Sequence, residues 1–330
     1  MLTIVIITIA IALIFDFLNG MNDAANSIAT IVSTKVLSPF MAVLWAAFFN
    51  FAAVFIFGVS VATTIGKGII DPTIVNEYVI LGSLLGAIIW VYACTFLGMP
   101  ISVSHALIGG LMGPALVVGG TSAILTTGLT KVLIFIVLSP LIGMVLSYFI
   151  MIITMLIFRK THPRKVDKYF RVLQLFSSAV FSLGHGSNDA QKTMGIITIL
   201  LFSTGYLGPE FHVPTWVIFA SYSAIALGTL AGGRRVIKTL GSGLTHLKPV
   251  QGFSAETAGA LSVIGSTLGG IPVSTTHTIT GAILGVGLTK RVSAIRWGIA
   301  GNIIIAWIFT IPGTMVLSAG IYYIISLIIA

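Results

Sequence analysis

The chain has 330 residues, 57% of them hydrophobic and only 8% charged, with a mean hydropathy of +1.10. A soluble domain carries about 25% charged residues, so this chain cannot cover a water-facing surface and is read as an all-α polytopic membrane protein. The net charge of +9 is no nucleic-acid signal, because the basic residues are gathered in short clusters. These are Arg159, Lys160, Arg164, Lys165, Lys168 and Arg171 at mid-chain, then Arg234, Arg235, Lys238 and Lys248, then Lys290, Arg291 and Arg296. Such clustering marks cytoplasmic loops. Long apolar runs and 36 glycines favour helical spans over barrel strands, and the single Cys94 excludes a disulfide framework.

In chain order, residues 1–18 read as a retained span that breaks at Asn19-Gly20 and resumes as a half-helix toward Thr34. Pro39 opens a second span, to about Thr64, and Lys67, Asp71-Pro72 and Glu77 form a polar loop. A third span covers about Tyr78 to Leu97. G-M-P-I-S-V-S-H (Gly98 to His105) then leads into Gly-rich apolar sequence to about Val118. Residues 131–158 form a long span that ends at the basic mid-chain loop.

The second half repeats this plan. Val172 to Leu183 leads to H-G-S-N-D-A-Q-K (His185 to Lys192), which echoes N-G-M-N-D-A-A-N (Asn19 to Asn26) at an offset of 188 − 22 = 166 residues. G-I-P-V-S-T-T-H (Gly270 to His277) echoes Gly98–His105 at an offset of 277 − 105 = 172. Between them lie a span to about Leu230 and an apolar segment carrying Glu256. A last apolar stretch is interrupted by Pro312-Gly313. Five spans per half would invert the second copy, and an outside N-terminus then puts every basic cluster inside, leaving Lys67 and Lys131 outside. The expectation is two inverted-topology repeats with about 10–12 transmembrane segments: residues 1–158, a basic connector 159–171, and residues 172–330.

Amides and carboxylates at helix breaks inside a bilayer are expensive, so a matched pair points to a polar site at the repeat interface. Asn22 and Asn188 supply donors to an anion, and Asp23 and Asp189 supply hard oxygen ligands to a cation. In Pro100-Ile101-Ser102-Val103-Ser104-His105 and Pro272-Val273-Ser274-Thr275-Thr276-His277, a helix start with hydroxyls makes a cradle for an oxyanion. The bland alternatives are ordinary N-caps and hydroxyls bonded back to their own helices. His105 and His277 are expected in supporting roles. Asp16 lies before the first motif, Glu256 sits in apolar surroundings, and Lys192 is one turn from Asp189, where it neutralises the carboxylate or meets substrate.

With these segments in view, the chain resembles the inorganic phosphate transporter (PiT) family. The hallmark G-A-N-D-x-A-N is similar to Gly20–Asn26 with Met21 in place of Ala, and H-G-x-N-D-A-Q-K matches His185–Lys192. Arg171-Val172-Leu173-Gln174, Gly252–Glu256 and Pro272–His277 match further family elements, while the long central loop of animal members is absent. The resemblance implies symport of phosphate, a homodimer, and a plasma-membrane location, with no enzyme activity, cofactor or nucleic-acid partner. On that basis the phosphate ligands are expected to be Asn22, Asn188, Gln191, Ser102, Ser104, Ser274, Thr275 and Thr276. Asp23, Asp189 and Asn26 are expected to bind co-transported sodium, with Asp16, His105, His277, Glu256 and Lys192 supporting or coupling. Proton-coupled phosphate or metal–phosphate symport is the nearest alternative. An anion channel or a polytopic membrane enzyme is more distant.

Overall fold

The computed structural model describes residues 2–232 and 234–329, without the side chains of Arg234, Lys238 and Ser242. The expected basic cluster at Arg234 and Lys238 therefore lies partly outside the described side chains. Regular structure is helical throughout the described residues, apart from one isolated antiparallel bridge between Ile70 and Ile124. The helices are α1 (Leu2–Ser33), α2 (Pro39–Ala52), α3 (Ser60–Gly68), α4 (Glu77–Leu97), α5 (Val103–Gly119) and α6 (Thr126–Phe158). The second half contributes α7 (Pro163–Ser203), α8 (Thr215–Ala231), the short α9 (Arg234–Lys238), α10 (Pro249–Leu268), α11 (Thr275–Leu288) and α12 (Trp297–Ile329). Among the described residues, five helices are long and apolar enough to cross a bilayer, and a sixth span results if α2 and α3 are joined across their 84° bend. Long α6 and α12 form the periphery. They present Val137, Leu141, Phe149, Ile308, Phe309 and Val316 outward, while Asp16, Asp23, Asp189, Lys192 and Glu256 are buried. That inside-out distribution is what a hydrocarbon solvent demands.

Local sequence sets the helix starts. Asn76 accepts from the amides of Tyr78 and Val79 at the head of α4, and Ser102 and Ser274 cap α5 and α11 through the amides of His105 and His277. Pro39, Pro163 and Pro249 take the first turns of α2, α7 and α10, where a missing N–H costs nothing. Gly98 and Gly270, at φ +72° and +66°, turn the chain between α4 and α5 and between α10 and α11.

Two of the expected helix breaks are absent. Helix α1 runs uninterrupted through Asn19-Gly20, and α7 runs uninterrupted through Gly186. These glycines are packing positions: a Cβ on Gly20 would collide with the Ile225 carbonyl of α8, and one on Gly186 with the backbone of Asn50 in α2. The real breaks lie at residues 98–102 and 269–274, and at the α2–α3 bend, which the expected straight second span had missed. The mid-chain basic residues also differ from expectation, since α7 already begins at Pro163 and carries Arg164, Lys165, Lys168 and Arg171 on its first turns. Pro312-Gly313 likewise interrupts nothing; it lies inside α12.

Packing follows the duplication. Helix α1 lies against α8, and α7 against α2 and α3; α5 pairs with α12, and α11 with α6. The halves are therefore interleaved rather than side by side. Gly109 and Gly113 of α5 meet the Ile311 and Met315 carbonyls of α12, while Gly281 and Gly285 of α11 meet those of Pro140 and Met144 in α6. Both small-xxx-small pairs bring backbones into van der Waals contact. At one end of the molecule Arg171 donates to the Lys35 carbonyl at 2.9 Å, and a surface cavity of about 640 Å³ is lined by Arg164, Asp167 and Lys248. Lys290 donates to the His246 carbonyl at 2.9 Å. Arg164, Arg171, Lys248 and Lys290 thus gather at one end of the molecule.

Candidate functional site

The centre of the molecule is built from α1 and α7 with the heads of α5 and α11. Asp23 of α1 and Asp189 of α7 converge on one residue: Thr275 Oγ1 lies 3.4 Å from Asp23 Oδ2 and 3.1 Å from Asp189 Oδ2. Thr276 Oγ1 adds a contact of 3.3 Å to Asp23 Oδ1, and Asn26 Nδ2 donates to Thr276 Oγ1 at 2.9 Å and lies 3.2 Å from Thr275 Oγ1. His185 Nε2 approaches Asp189 Oδ2 at 3.1 Å. Ligand atoms of Asp23, His185 and Asp189 all lie within 4.8 Å of one another, and all three residues are buried.

Lys192 closes the other side. Its ammonium pairs with Asp189 Oδ1 and donates to Ser104 Oγ at 2.5 Å and to the Val273 carbonyl at 2.9 Å. All three of its protons are engaged, and they join α7 to the entry turns of α5 and α11. A buried ammonium held this way is compensated by charge and by hydrogen bonds.

The asparagines follow the repeat. Asn22 Nδ2 donates to Thr95 Oγ1 at 2.6 Å, and Asn188 Nδ2 to Thr267 Oγ1 at 2.9 Å, each pair joining an N-D motif to the last turn of the helix before the break. Asn188 also meets the Ile271 carbonyl and the Val273 amide at 3.3 Å each. By contrast the side-chain oxygens of Asn22 and Asn26 have no hydrogen-bond partner among the described residues. Gln191 points elsewhere, with Oε1 accepting from the Val61 amide at 2.8 Å at the head of α3.

His105 and His277 meet edge to face with centroids 4.6 Å apart, and His277 stacks on Trp307 at 3.6 Å. Pro140 inside α6 has no N–H for the Ile136 carbonyl four residues back. That carbonyl lies 3.4 Å from His277 Nδ1, so the proline gives the imidazole a fixed acceptor. Trp307 Nε1 donates to the Pro100 carbonyl at 3.0 Å and pins the first entry turn.

Glu256 stands apart from Asp23 and Asp189. It accepts from Thr30 Oγ1 and Ser177 Oγ at 2.5 Å each and from Gln174 Nε2 at 3.0 Å. Asp16 is fully buried, with neither carboxylate oxygen hydrogen-bonded among the described residues.

A profile described as the phosphate transporter family matches residues 19–165 and again 158–318. The chain belongs to the phosphate transporter family. It is 58% identical over 315 residues to a "probable low-affinity inorganic phosphate transporter" of Rhizobium meliloti, covering 96% of this chain and 94% of that one. A protein of the same description from Bacillus subtilis is 42% identical over 330 residues, covering 99% of both. The fold is similar to a solved structure described as the sodium-dependent phosphate transporter, with a TM-score of 0.92, 26% identity, and coverage of 99% and 100% of the two chains.

As a member of that family the chain is a transporter rather than an enzyme. Of the residues its sequence singled out, Asp23, Asn26, Ser104, Asp189, Lys192, Thr275 and Thr276 are joined in one network, and His105 and His277 form a pair between α5 and α11. Asn22 and Asn188 flank the network, Gln191 caps α3, and Glu256 and Asp16 occupy separate pockets. Sequence reasoning missed Thr95, Thr267 and Trp307. The two threonines are themselves spaced 267 − 95 = 172 residues apart, so the repeat register pointed to them.

Proposed function

We propose that the protein imports inorganic phosphate by secondary active symport with sodium, moving one set of helices against the other around the Thr275 network. One observation carries this reading: carboxylates from both halves face a single hydroxyl in a buried site, with helix starts alongside them. Asp23, with the unpartnered oxygens of Asn22 and Asn26 and the hydroxyls of Thr275 and Thr276, offers an all-oxygen cage suited to a hard monovalent cation. Asp189 supplies the second cation ligand on the opposite side of Thr275.

Phosphate is assigned to the space between the entry turns of α5 and α11. There Ser102 and Ser274 cap the two helix starts, whose positive ends favour an anion, Ser104, Thr275 and Thr276 add hydroxyls, and Lys192 adds positive charge. Asn22, Asn188 and Gln191 border this region and hold its walls. Bound sodium lowers the cost of burying the anion, so the two species bind cooperatively. The solved neighbour's description as sodium-dependent supports this coupling. Matching of the family to two overlapping segments supports a pair of inverted repeats meeting near residues 158–171, and the family likeness supports a homodimer in the cell membrane.

The test is uptake of ³²P-phosphate into proteoliposomes with Na⁺, K⁺ or pH gradients imposed in turn. Accumulation against the phosphate gradient driven by Na⁺ alone is expected. Uptake that persists without Na⁺ and collapses with a protonophore would instead establish proton coupling. Mere equilibration would establish a channel.

A further inference from the structure

Asp16 lies seven residues before Asp23 on the same face of α1, about two turns or 10 Å along the axis. It is wholly buried. The atoms without a hydrogen-bond partner include both carboxylate oxygens of Asp16, the Asn19 side-chain oxygen, Thr193 Oγ1 and Tyr222 Oη. Thr193 and Asn19 adjoin Asp16, and Tyr222 of α8 lies near it. The nearby cationic groups are already occupied. Lys192 spends its protons on Asp189, Ser104 and Val273, and His185 has Asp189 on one ring nitrogen and Asn50 on the other.

The second repeat supplies an internal control. The positions corresponding to Asp16 and Asn19, at the offset of the N-D motifs, are Ser182 and His185. There Ser182 bonds to the Ser178 carbonyl, and His185 bonds to Asn50, which donates to Thr229 at 2.9 Å. That half is closed by protein–protein hydrogen bonds. The Asp16 half is not. A buried carboxylate whose oxygens no well-aligned protein donor reaches costs several kcal/mol unless a cation meets it.

We propose that Asp16, Asn19, Thr193 and Tyr222 form a further alkali-cation site, additional to the Asp23–Asp189 centre. It lies two turns along α1 from that centre, with Asp16 as its charged ligand. The site takes sodium through one carboxylate, one amide oxygen and two hydroxyls, and needs no nitrogen ligand. Placed there, it loads or releases the driving ion on the side of α1 nearer its N-terminus, opposite to Glu256, which contacts Thr30 seven residues beyond Asp23.

This inference rests on sodium coupling, and equilibrium ²²Na⁺ binding to the purified full-length protein without phosphate separates the two. Asp16→Asn is expected to bind one sodium fewer per protomer than the parent. Tyr222→Phe and Thr193→Val, which remove single oxygens and keep the carboxylate, are expected to retain the count but weaken one site about tenfold. These two variants also keep the test decisive if Asp16→Asn does not fold. Parent protein that binds no sodium would overturn the coupling itself. Parent protein that binds sodium, with Asp16→Asn unchanged in stoichiometry or Tyr222→Phe and Thr193→Val unchanged in affinity, would overturn this site alone. So would a protonated-acid infrared band that disappears in Asp16→Asn and is unaffected by sodium, because Asp16 would then hold a proton instead.

Discussion

Asp23 and Asp189 sit on helices from opposite halves, yet their Oδ2 atoms lie 3.4 Å and 3.1 Å from the same Thr275 hydroxyl. One hydroxyl carries one proton, so Thr275 donates to one carboxylate at a time, and of the two oxygens only Asp189 Oδ2 also meets His185 Nε2, at 3.1 Å. In the proposed reading a cation between them resolves the conflict, because both carboxylates and the hydroxyl lone pairs can coordinate it together. Under the proposed sodium coupling, the centre is complete only with its cation bound.

Asp23→Asn is the first prediction. It keeps shape and burial and removes the charge from the carboxylate that has no ammonium partner. Phosphate uptake in proteoliposomes is expected to fall on the order of a hundredfold, matching the loss of one buried charge contact of about 3 kcal/mol. Membrane insertion and the thermal transition should stay near the parent values. Normal uptake would remove Asp23 from the coupling centre.

Asp189 should behave differently, because Lys192 neutralises it. Lys192→Met leaves Asp189 buried beside Asp23 without its ammonium and is expected to cost about 3–5 kcal/mol of stability. The double variant Lys192→Met with Asp189→Asn should recover a large part of that loss, and a double-mutant cycle on thermal unfolding in detergent measures it. If the single and double variants are equally unstable, the pair is not the source of the stabilisation.

Much of this was legible in the sequence, because polar residues in hydrocarbon are conspicuous and the duplication marks which ones matter. The N-D and P-x-S-x-[ST]-H segments do meet at one place. Gly20 and Gly186 misled for a physical reason: glycine in a helical run reads the same whether the helix unwinds there or a neighbour approaches closely. Only the position of Ile225 or Asn50 decides. The bend between Phe55 and Ser60 falls in apolar sequence with no proline to announce it. The early start of α7 was hidden by its charged first turns, which a loop and a solvated helix end share. Lys192's reach to Val273 depends on a carbonyl, which carries no side-chain signature at all.

The interleaved glycines give a prediction with its own control. Gly113→Ala places a methyl against the Met315 carbonyl and Ser318 Oγ, and Gly285→Ala against the Met144 carbonyl and Ser147 Oγ. Each should lower stability by about 1–3 kcal/mol through overpacking. Gly320→Ala on α12 meets nothing and should be neutral or raise stability by up to about 1 kcal/mol through helix propensity. Thermal unfolding of the three variants in one detergent checks the ordering. Equal effects would mean that the close helix crossings do not limit stability.

Gln191 separates a wall residue from a phosphate ligand. Its Oε1 accepts from the Val61 and Ala62 amides at 2.8 Å and 3.4 Å, while Nε2 lies 3.2 Å from Ser187 Oγ. Gln191→Glu keeps the accepting oxygen and adds a charge that the positive head of α3 favours. Gln191→Leu removes the cap and leaves buried amides unpaired, at about 1–3 kcal/mol. If Gln191 acts by holding α3 across the bend, the Glu variant keeps the parent's apparent phosphate affinity within about twofold, whereas the Leu variant loses stability and uptake together. If its amide touches phosphate, the order reverses: the added charge repels the anion and raises the apparent KM by tenfold or more, equivalent to about 1.4 kcal/mol. Phosphate titrations of uptake in the two variants decide between these roles, and the arrangement of α3 on α7 favours the first.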